Sequence, residues 1–213
     1  MSKDAIATIR QRTSSSYFQS SAISEETIRE LVRDATEAPS SFNIQHWRFI
    51  AVTNAVDKQK LQKCAFDQEK VSAAAVTFIV LGDMEAYENL SATLEPSVAE
   101  GMLTEQLRSN WVDMATHMYS GNLQFARDEA VRSASLAAMT LMVSAQARGL
   151  VSGPMVGFDA SALQRAFEIG ERFVPVMLIA IGHPNAGNAA RKPRLPVERV
   201  LSFNRMGPWQ VPA

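Results

Sequence analysis

The sequence predicts one α+β domain over residues 1–213, on three observations. Of the 213 residues, 46% are hydrophobic, enough for one substantial core. Three runs, Trp47 to Thr53, Ala75 to Leu81 and Val174 to Gly182, are apolar and rich in β-branched or aromatic residues, as strands are. Between them lie segments whose apolar residues recur at helical spacing.

In chain order, Asp4 to Arg12 suits a short first helix, and the serine-rich stretch Thr13 to Ser21 cannot comfortably continue it. Ser24 then caps a second helix. Glu25 and Glu26 complement the positive end of its dipole, and Ile28, Leu31, Val32 and Ala35 form its apolar face. Pro39 stops that helix, and the loop to His46 leads into the first strand. The second and third strands are nearly continuous apolar runs, as expected of strands covered on both faces. Glu85 to Tyr119 is mostly helical in composition, with an interruption near Pro96. Phe125 to Arg148 is a long helix with Val131, Ala134, Ala138, Leu141, Met142 and Ala145 at helical spacing, closed by Gly149 at C′. From Ser133 onward it carries little charge around its circumference. Its second face therefore needs cover, from a partner subunit or from within the same one. Asn185 to Ala213 is rich in Pro, Arg and Asn, lacks periodicity, and is expected to lie extended over a surface.

Composition narrows the function. With 21 Lys and Arg against 22 Asp and Glu, the net charge of −1 provides no global field toward nucleic acid or an anionic membrane. The N-terminal MSKDAIATIRQR lacks the apolar centre of a signal peptide, and Ser133 to Ala147 falls short of the roughly 20 apolar residues of a membrane span. A cytoplasmic protein with neither a nucleic-acid nor a membrane partner is expected. Cys64 has no second cysteine to pair with and reads as a small buried hydrophobe. His46, His117 and His183 have no recognisable nucleophile partner, no Gly-x-Ser-x-Gly string occurs, and no His or Cys pair has metal-ligand spacing. A hydrolase and a metalloenzyme are thereby disfavoured.

Four strings could carry chemistry. Arg12-Thr13-Ser14-Ser15-Ser16 puts a forked cation before hydroxyl donors, which suits a phosphate or, equally, a solvated turn. Ala38 to Trp47 (APSSFNIQHW) combines hydroxyls with an amide pair able to meet a heteroaromatic edge. Pro154-Met155-Val156-Gly157-Phe158-Asp159 reads as a tight apolar turn in which glycine lets a backbone amide approach a flat ligand, with Asp159 as the next helix's N-cap. Arg191-Lys192-Pro193-Arg194 is either a solvated basic loop or, folded back against Arg12, the second half of a dianion site.

In this order the four strings resemble the FMN-dependent nitroreductases, whose pattern runs Arg-x-Ser, Pro-Ser-Ser-x-Asn-x-Gln-Pro-Trp, Pro-x-x-Gly-Phe-Asp and Lys-x-Arg. Phe66 to Lys70 falls where that family places a further flavin-contacting segment. The resemblance implies a three-layer α/β/α fold with a mixed, mostly antiparallel sheet, in an intertwined homodimer. It implies that Arg12, Ser14, Lys192 and Arg194 hold the FMN phosphate, with Thr13 beside them and Ser16 assisting. Pro39, Ser40, Ser41 and Asn43 would reach the flavin of the neighbouring subunit. Asp67 and Lys70 would face the pyrimidine edge, and the Gly157 amide would approach N5, flanked by Pro154, Met155 and Val156. Residues 85–120 would form a lid in which Trp111, Met114, Met118 and Tyr119 are pocket candidates, with core packing the simpler role for any one of them, and Arg108 is a candidate for a nicotinamide 2′-phosphate. Four positions depart from the family pattern: Ser16 for a cation, His46 for the Pro of Gln-Pro-Trp, Asp67 for an amide and Val156 for a Glu.

The activity so implied is transfer of reducing equivalents from NADH or NADPH through FMN to a nitroaromatic, quinone or similar small acceptor, by a ping-pong route that needs no Gly-x-Gly-x-x-Gly module. A non-catalytic flavin-binding or flavin-sequestering protein, and a variant acting as a dehalogenase or on flavin itself, are the alternatives.

Overall fold

A computed structural model describes residues 5–207. A four-stranded, wholly antiparallel sheet has the order β1-β2-β4-β3, with β1 Trp47–Val52, β2 Val76–Asp83, β3 Val151–Met155 and β4 Phe173–Gly182. Three of these are the strands expected from sequence, shifted by one or two residues. The fourth, β3, occupies part of what reads in sequence as a turn. Its Gly153 and Pro154 are poor strand formers, and they are admitted because β3 lies at the edge of the sheet. Along β2 the side chains alternate between two cores. Val76, Phe78 and Val80 face one side, and Ile79 and Leu81 face the other.

The first side is covered by α2 (Glu25–Ala35) and α7 (Leu123–Ala147), the second by α3 (Ala55–Cys64), α4 (Glu69–Ala73) and α8 (Ala160–Ala166). This is the three-layer α/β/α arrangement. α1 (Ala5–Gln11) precedes it, and Asp4 of the expected first helix lies outside the described residues. On α2 the Ser24 hydroxyl accepts from the Thr27 N–H at 3.1 Å, and the helix ends at Ala35, four residues before Pro39. Neither α3 nor α4 shows in the periodicity of the sequence: α3 is polar on most sides and α4 is barely one turn long.

α7 spans about 37 Å at 1.5 Å per residue. Gly149, at φ +76°, is its C′ residue. The Leu150 N–H bonds to Ala145 O at 2.9 Å and the Gly149 N–H to Gln146 O at 3.1 Å, the paired bonds of a Schellman stop. Ala134, Ala138, Leu141, Met142 and Ala145 are buried against α2 and the sheet. A Cβ on Gly82 of β2 would stand 2.7 Å from the Ala130 carbonyl oxygen, so glycine is what lets the helix lie this close to the strand. The opposite stripe, Leu136 and Met139, stays exposed.

The segment after β2 forms α5 (Leu90–Ala99) and α6 (Glu105–Tyr119). The break between them is not at Pro96, which sits inside α5, but around Gly101, whose φ of +73° no helix accommodates. This pair has its own apolar cluster, with Leu90, Leu94, Ala115 and Tyr119 buried against Ile44 and Ala126. No helix among the described residues is long and apolar enough to cross a membrane.

Candidate cofactor site

The chain after Arg12 meets the outer edge of β3 at Ser14 and Ser15 and then, at Phe18 and Gln19, pairs with Pro184 and His183 beyond the end of β4. Ser14 forms a parallel bridge with Ser152, and the Ser15 N–H donates to Ser152 O at 2.9 Å. Gly153 makes this possible, because a Cβ there would meet the Ser15 carbonyl oxygen at 2.3 Å. The same Cβ position is 3.8 Å from the Lys70 side chain, so the serine loop, β3 and the start of α4 converge.

The basic tail folds back onto this edge. Asn188 Oδ1 accepts from the N–H groups of Ser16 and Tyr17 at 2.9 and 3.0 Å, and its Nδ2 donates to Tyr17 O at 2.7 Å. Arg191 Nη1 donates to the carbonyls of Ile9 and Arg10 at 2.8 and 2.7 Å, at the negative end of α1. Arg12 is thus crowded by cations. Burial, and then the nearby charges of Arg191 and Arg194, push its guanidinium below the usual value. Its Nη1 is buried with no hydrogen-bond partner among the described residues, and the hydroxyls of Ser15 and Ser152 are in the same condition. A cluster of cations with an orphaned buried donor is suited to an anion. Lys192 and Arg194 are exposed, as is Ser14, with Thr13 half-buried.

Lys70 is half-buried and forms no salt bridge among the described residues, and burial lowers its pKa. Before it, Phe66 and Asp67 both stand at φ +55°, and Gln68 reaches across to donate to Gly157 O at 2.7 Å. The Asp159 N–H donates to Cys64 O at 2.8 Å, so the turn after β3 is stapled to the end of α3. Asp159 caps α8 as expected, accepting from the Ala162 N–H at 2.9 Å. Cys64 is buried. Val156 and Gly157 are exposed while Met155, the last residue of β3, is buried, and a Cβ at Gly157 would meet nothing nearer than Gln68 Nε2 at 3.6 Å. Packing within the chain therefore does not require glycine there.

The second string lies elsewhere. Pro39 to His46 enters β1, at the far edge of the sheet from β3 and toward the opposite end of the strands, since Trp47 is level with Gly82 and Val174 whereas β3 is level with Leu178 to Gly182. Three strand spacings alone put it about 14 Å away. Phe42, Asn43 and Gln45 adopt φ of 51°, 58° and 58°, held in part by the Ser40 hydroxyl accepting from the Gln45 N–H at 2.9 Å. One subunit does not bring Ser40, Ser41 and Asn43 to the Arg12 cluster.

His46, the departure from Pro, is fully buried. Its Nδ1–H donates to Asp83 O at 2.9 Å, its ring stacks on Tyr119 at 5.5 Å between centroids, and its Nε2 has no partner among the described residues. Burial, reinforced by Arg48 and opposed by Asp83, holds its pKa below the usual value. The imidazole is therefore kept neutral when folded, while the unfolded chain takes up a proton below pH ~6.5. Stability should fall as pH drops from ~6.5 toward the folded-state value, and a His46→Phe variant should lose that part of the slope in urea titrations at pH 5 and 7. Identical slopes would remove His46 from the pH response.

Two further positions are decided by packing and ion pairing. Tyr119 is 2% exposed inside the α5–α6 cluster, so it is core rather than pocket lining, and Trp111 packs edge-on against Phe42 at 6.0 Å; Met114 and Met118 remain exposed. Arg108 is committed to Glu95 and Glu105, which leaves it poorly placed for a 2′-phosphate. Sequence reasoning missed Gln68 and Asn188. Gln68 was within reach, as an amide beside Asp67. Asn188 had no local signal, because its partners Ser16 and Tyr17 are more than 170 residues away.

The Nitroreductase family profile matches residues 9–183. The chain belongs to the nitroreductase family. YodC of Bacillus subtilis (strain 168), named a candidate NAD(P)H nitroreductase, is 35% identical over 187 residues, covering 88% of this chain and 92% of its own. A solved B. subtilis structure described as a candidate nitroreductase, ydfN, is 35% identical with a TM-score of 0.87, covering 93% of this chain and 97% of that one. A nitroreductase candidate from Exiguobacterium sibiricum, solved in complex with FMN, is 28% identical with a TM-score of 0.88, covering 95% and 98%. The similarity therefore extends over nearly the whole length of each relative, and the α+β fold with its antiparallel sheet is shared with these nitroreductases.

Proposed function

We propose that this chain is an FMN-dependent oxidoreductase that works as a homodimer and uses NADH or NADPH to reduce nitroaromatics, quinones or similar small acceptors. The observation that carries the reading is the buried Arg12 Nη1, without a partner among the described residues, beside Arg191, Arg194 and the serine loop, which fits a phosphate dianion. The FMN complex of the Exiguobacterium relative supports the choice of anion.

Arg12, Ser14, Lys192 and Arg194 hold the phosphate, with Thr13 and Ser16 beside it. In this chain Arg191 orders the tail rather than reaching for the ligand. Pro154, Met155 and Val156 carry the chain to Gly157, whose N–H is presented to N5. Lys70, with Asp67 near it in sequence, puts a cation without a carboxylate partner among the described residues at the pyrimidine edge, where negative charge develops on reduction. When bound, FMN supplies the hydride acceptor and donor of a ping-pong cycle. The protein's part is to bind the ring, leave one face open and neutralise charge.

A dimer supplies what one subunit lacks. Pro39, Ser40, Ser41 and Asn43 would complete the partner's site from across the interface. The uncovered stripe of Leu136 and Met139 on α7, together with exposed Leu195, Val197, Val200, Leu201, Phe203 and Met206 of the tail, gives that interface apolar area. The α5–α6 pair would act as a lid over the substrate.

The test is an absorption spectrum with size-exclusion chromatography. A dimer with bands near roughly 370 and 450 nm that bleach on anaerobic addition of NADH or NADPH is expected. Bands that persist would mean flavin binding without turnover of nicotinamide. A colourless protein that takes up no added FMN would overturn the cofactor reading.

A further inference from the structure

Gln68 bridges the turn before α4 and the turn after β3. Its Nε2 donates to Ala65 O at 3.0 Å and to Gly157 O at 2.7 Å. Both amide hydrogens are thereby committed, and the flipped amide would aim an oxygen at two carbonyl oxygens, so the chemistry fixes its orientation. The local backbone is strained to achieve this. Phe66 and Asp67 are consecutive left-handed residues without being glycine, and Phe66 is 67% exposed, so packing of its ring does not explain the conformation. Gln68 also occupies the N-cap of α4 without capping it. Gly157 has no side chain, a Cβ there would meet only Gln68 Nε2 at 3.6 Å, and besides Gln68 its carbonyl peptide is held among the described residues by the bond from the Phe158 N–H to Val156 O at 3.1 Å, so loss of Gln68 leaves one weak tether against turning over.

We propose that Gln68 is a positioning residue that holds the Gly157 carbonyl away from the flavin ring and thereby confines the cofactor to two-electron chemistry. The inference rests on the reading above, in which the Gly157 N–H faces N5. Reduction turns N5 from an acceptor into an N–H donor, which a freed Gly157 carbonyl would accept. One oxidised and one fully reduced, anionic ring together carry one N5–H group, and the two neutral half-reduced rings they form, when one electron passes between them and one proton is taken up from water, carry two. Each N5–H···O=C bond gained therefore shifts this exchange toward the half-reduced form by one hydrogen bond, about tenfold in its equilibrium constant.

The experiment is anaerobic titration of the FMN-loaded protein with dithionite, following long-wavelength absorption and the electron paramagnetic resonance signal, for the parent, Gln68→Leu and Gln68→Glu. Melting temperatures establish that the variants fold, and Gln68→Glu keeps the size and polarity should Gln68→Leu fail. The expected result is retained FMN, little radical in the parent, and about a tenfold rise in the exchange constant in the variants. Equal radical fractions in loaded parent and variants would overturn the assignment of Gln68 alone. A parent that takes up no FMN, seen before any reductant is added, would overturn the cofactor reading and this inference with it.

Discussion

Arg12→Ala should weaken FMN binding by about 10- to 100-fold, the scale of ~1.5–3 kcal/mol for charge-assisted hydrogen bonds to a phosphate. The direction follows from the free site. Arg12 is half-buried, its Nη1 has no partner among the described residues, and Arg191 and Arg194 repel it. A guanidinium in that position gains little from the folded chain and much from an arriving dianion. Two consequences separate this from a structural role. The flavin-free variant should melt at or slightly above the parent's temperature, because a cation repelled by its neighbours has gone. Arg12→Lys, which keeps charge but loses the fork, should fall between the two in affinity. Flavin occupancy after dialysis and titration calorimetry with FMN measure the effect, and full occupancy retained by Arg12→Ala would sink the phosphate assignment.

The largest expected loss of stability is at Asp83. Its side chain is 1% exposed and receives Arg172 through Nε at 2.6 Å and Nη2 at 2.8 Å, Arg48 at 3.0 Å, and the Glu85 N–H at 3.1 Å. Its backbone N–H donates to His46 O at 2.7 Å and its carbonyl accepts from the His46 ring. One residue thus ties the end of β2, the loop before β4, the start of the α5–α6 segment and the loop carrying Ser40 to Asn43. Asp83→Ala leaves two guanidiniums without their carboxylate and should cost about 3 kcal/mol, the lower end for a broken buried pair because both arginines keep access to water. That corresponds to a fall in melting temperature of roughly 6–12 °C for a chain of this size. If the FMN site is completed by the partner's Ser40 to Asn43 loop, affinity for flavin should fall as well, although Asp83, at the end of β2, is two strands away from the β3 edge where Arg12 lies. A melting temperature within a degree or two of the parent's would show that the knot is dispensable.

The elements differ in how visible they were from sequence, for physical reasons. β2 and β4 were legible because a strand covered on both faces needs an unbroken apolar run, and α2 and α7 because a long packed helix must repeat its apolar contacts every three to four residues. α3 and α4 were hidden, one polar on most sides and the other too short to show a period. β3 is hidden, its last two residues falling in the expected Pro154 to Asp159 turn, because Gly153 and Pro154 are there for a close approach to Ser15 and for an edge, neither of which is a local property. The same distinction applies to the site. Residue types point to the Arg12, Gly157 and Lys192 to Arg194 strings only as a set, since each alone is equally a solvated loop or turn and it is their order that carries the family resemblance.

What the sequence determined by itself was the family, the apolar layers and the residue types able to meet a flavin phosphate. Those are carried by side-chain chemistry and by short-range periodicity. Only the tertiary structure decided which strings meet. It brought Asn188 and Arg191 onto the loop at Arg12, set Gln68 against Gly157, tied Arg108 to two glutamates, and placed Ser40 to Asn43 across the sheet from the other three strings. Such pairings depend on sheet order and on contacts between residues up to 182 positions apart, and no local pattern in the chain encodes them.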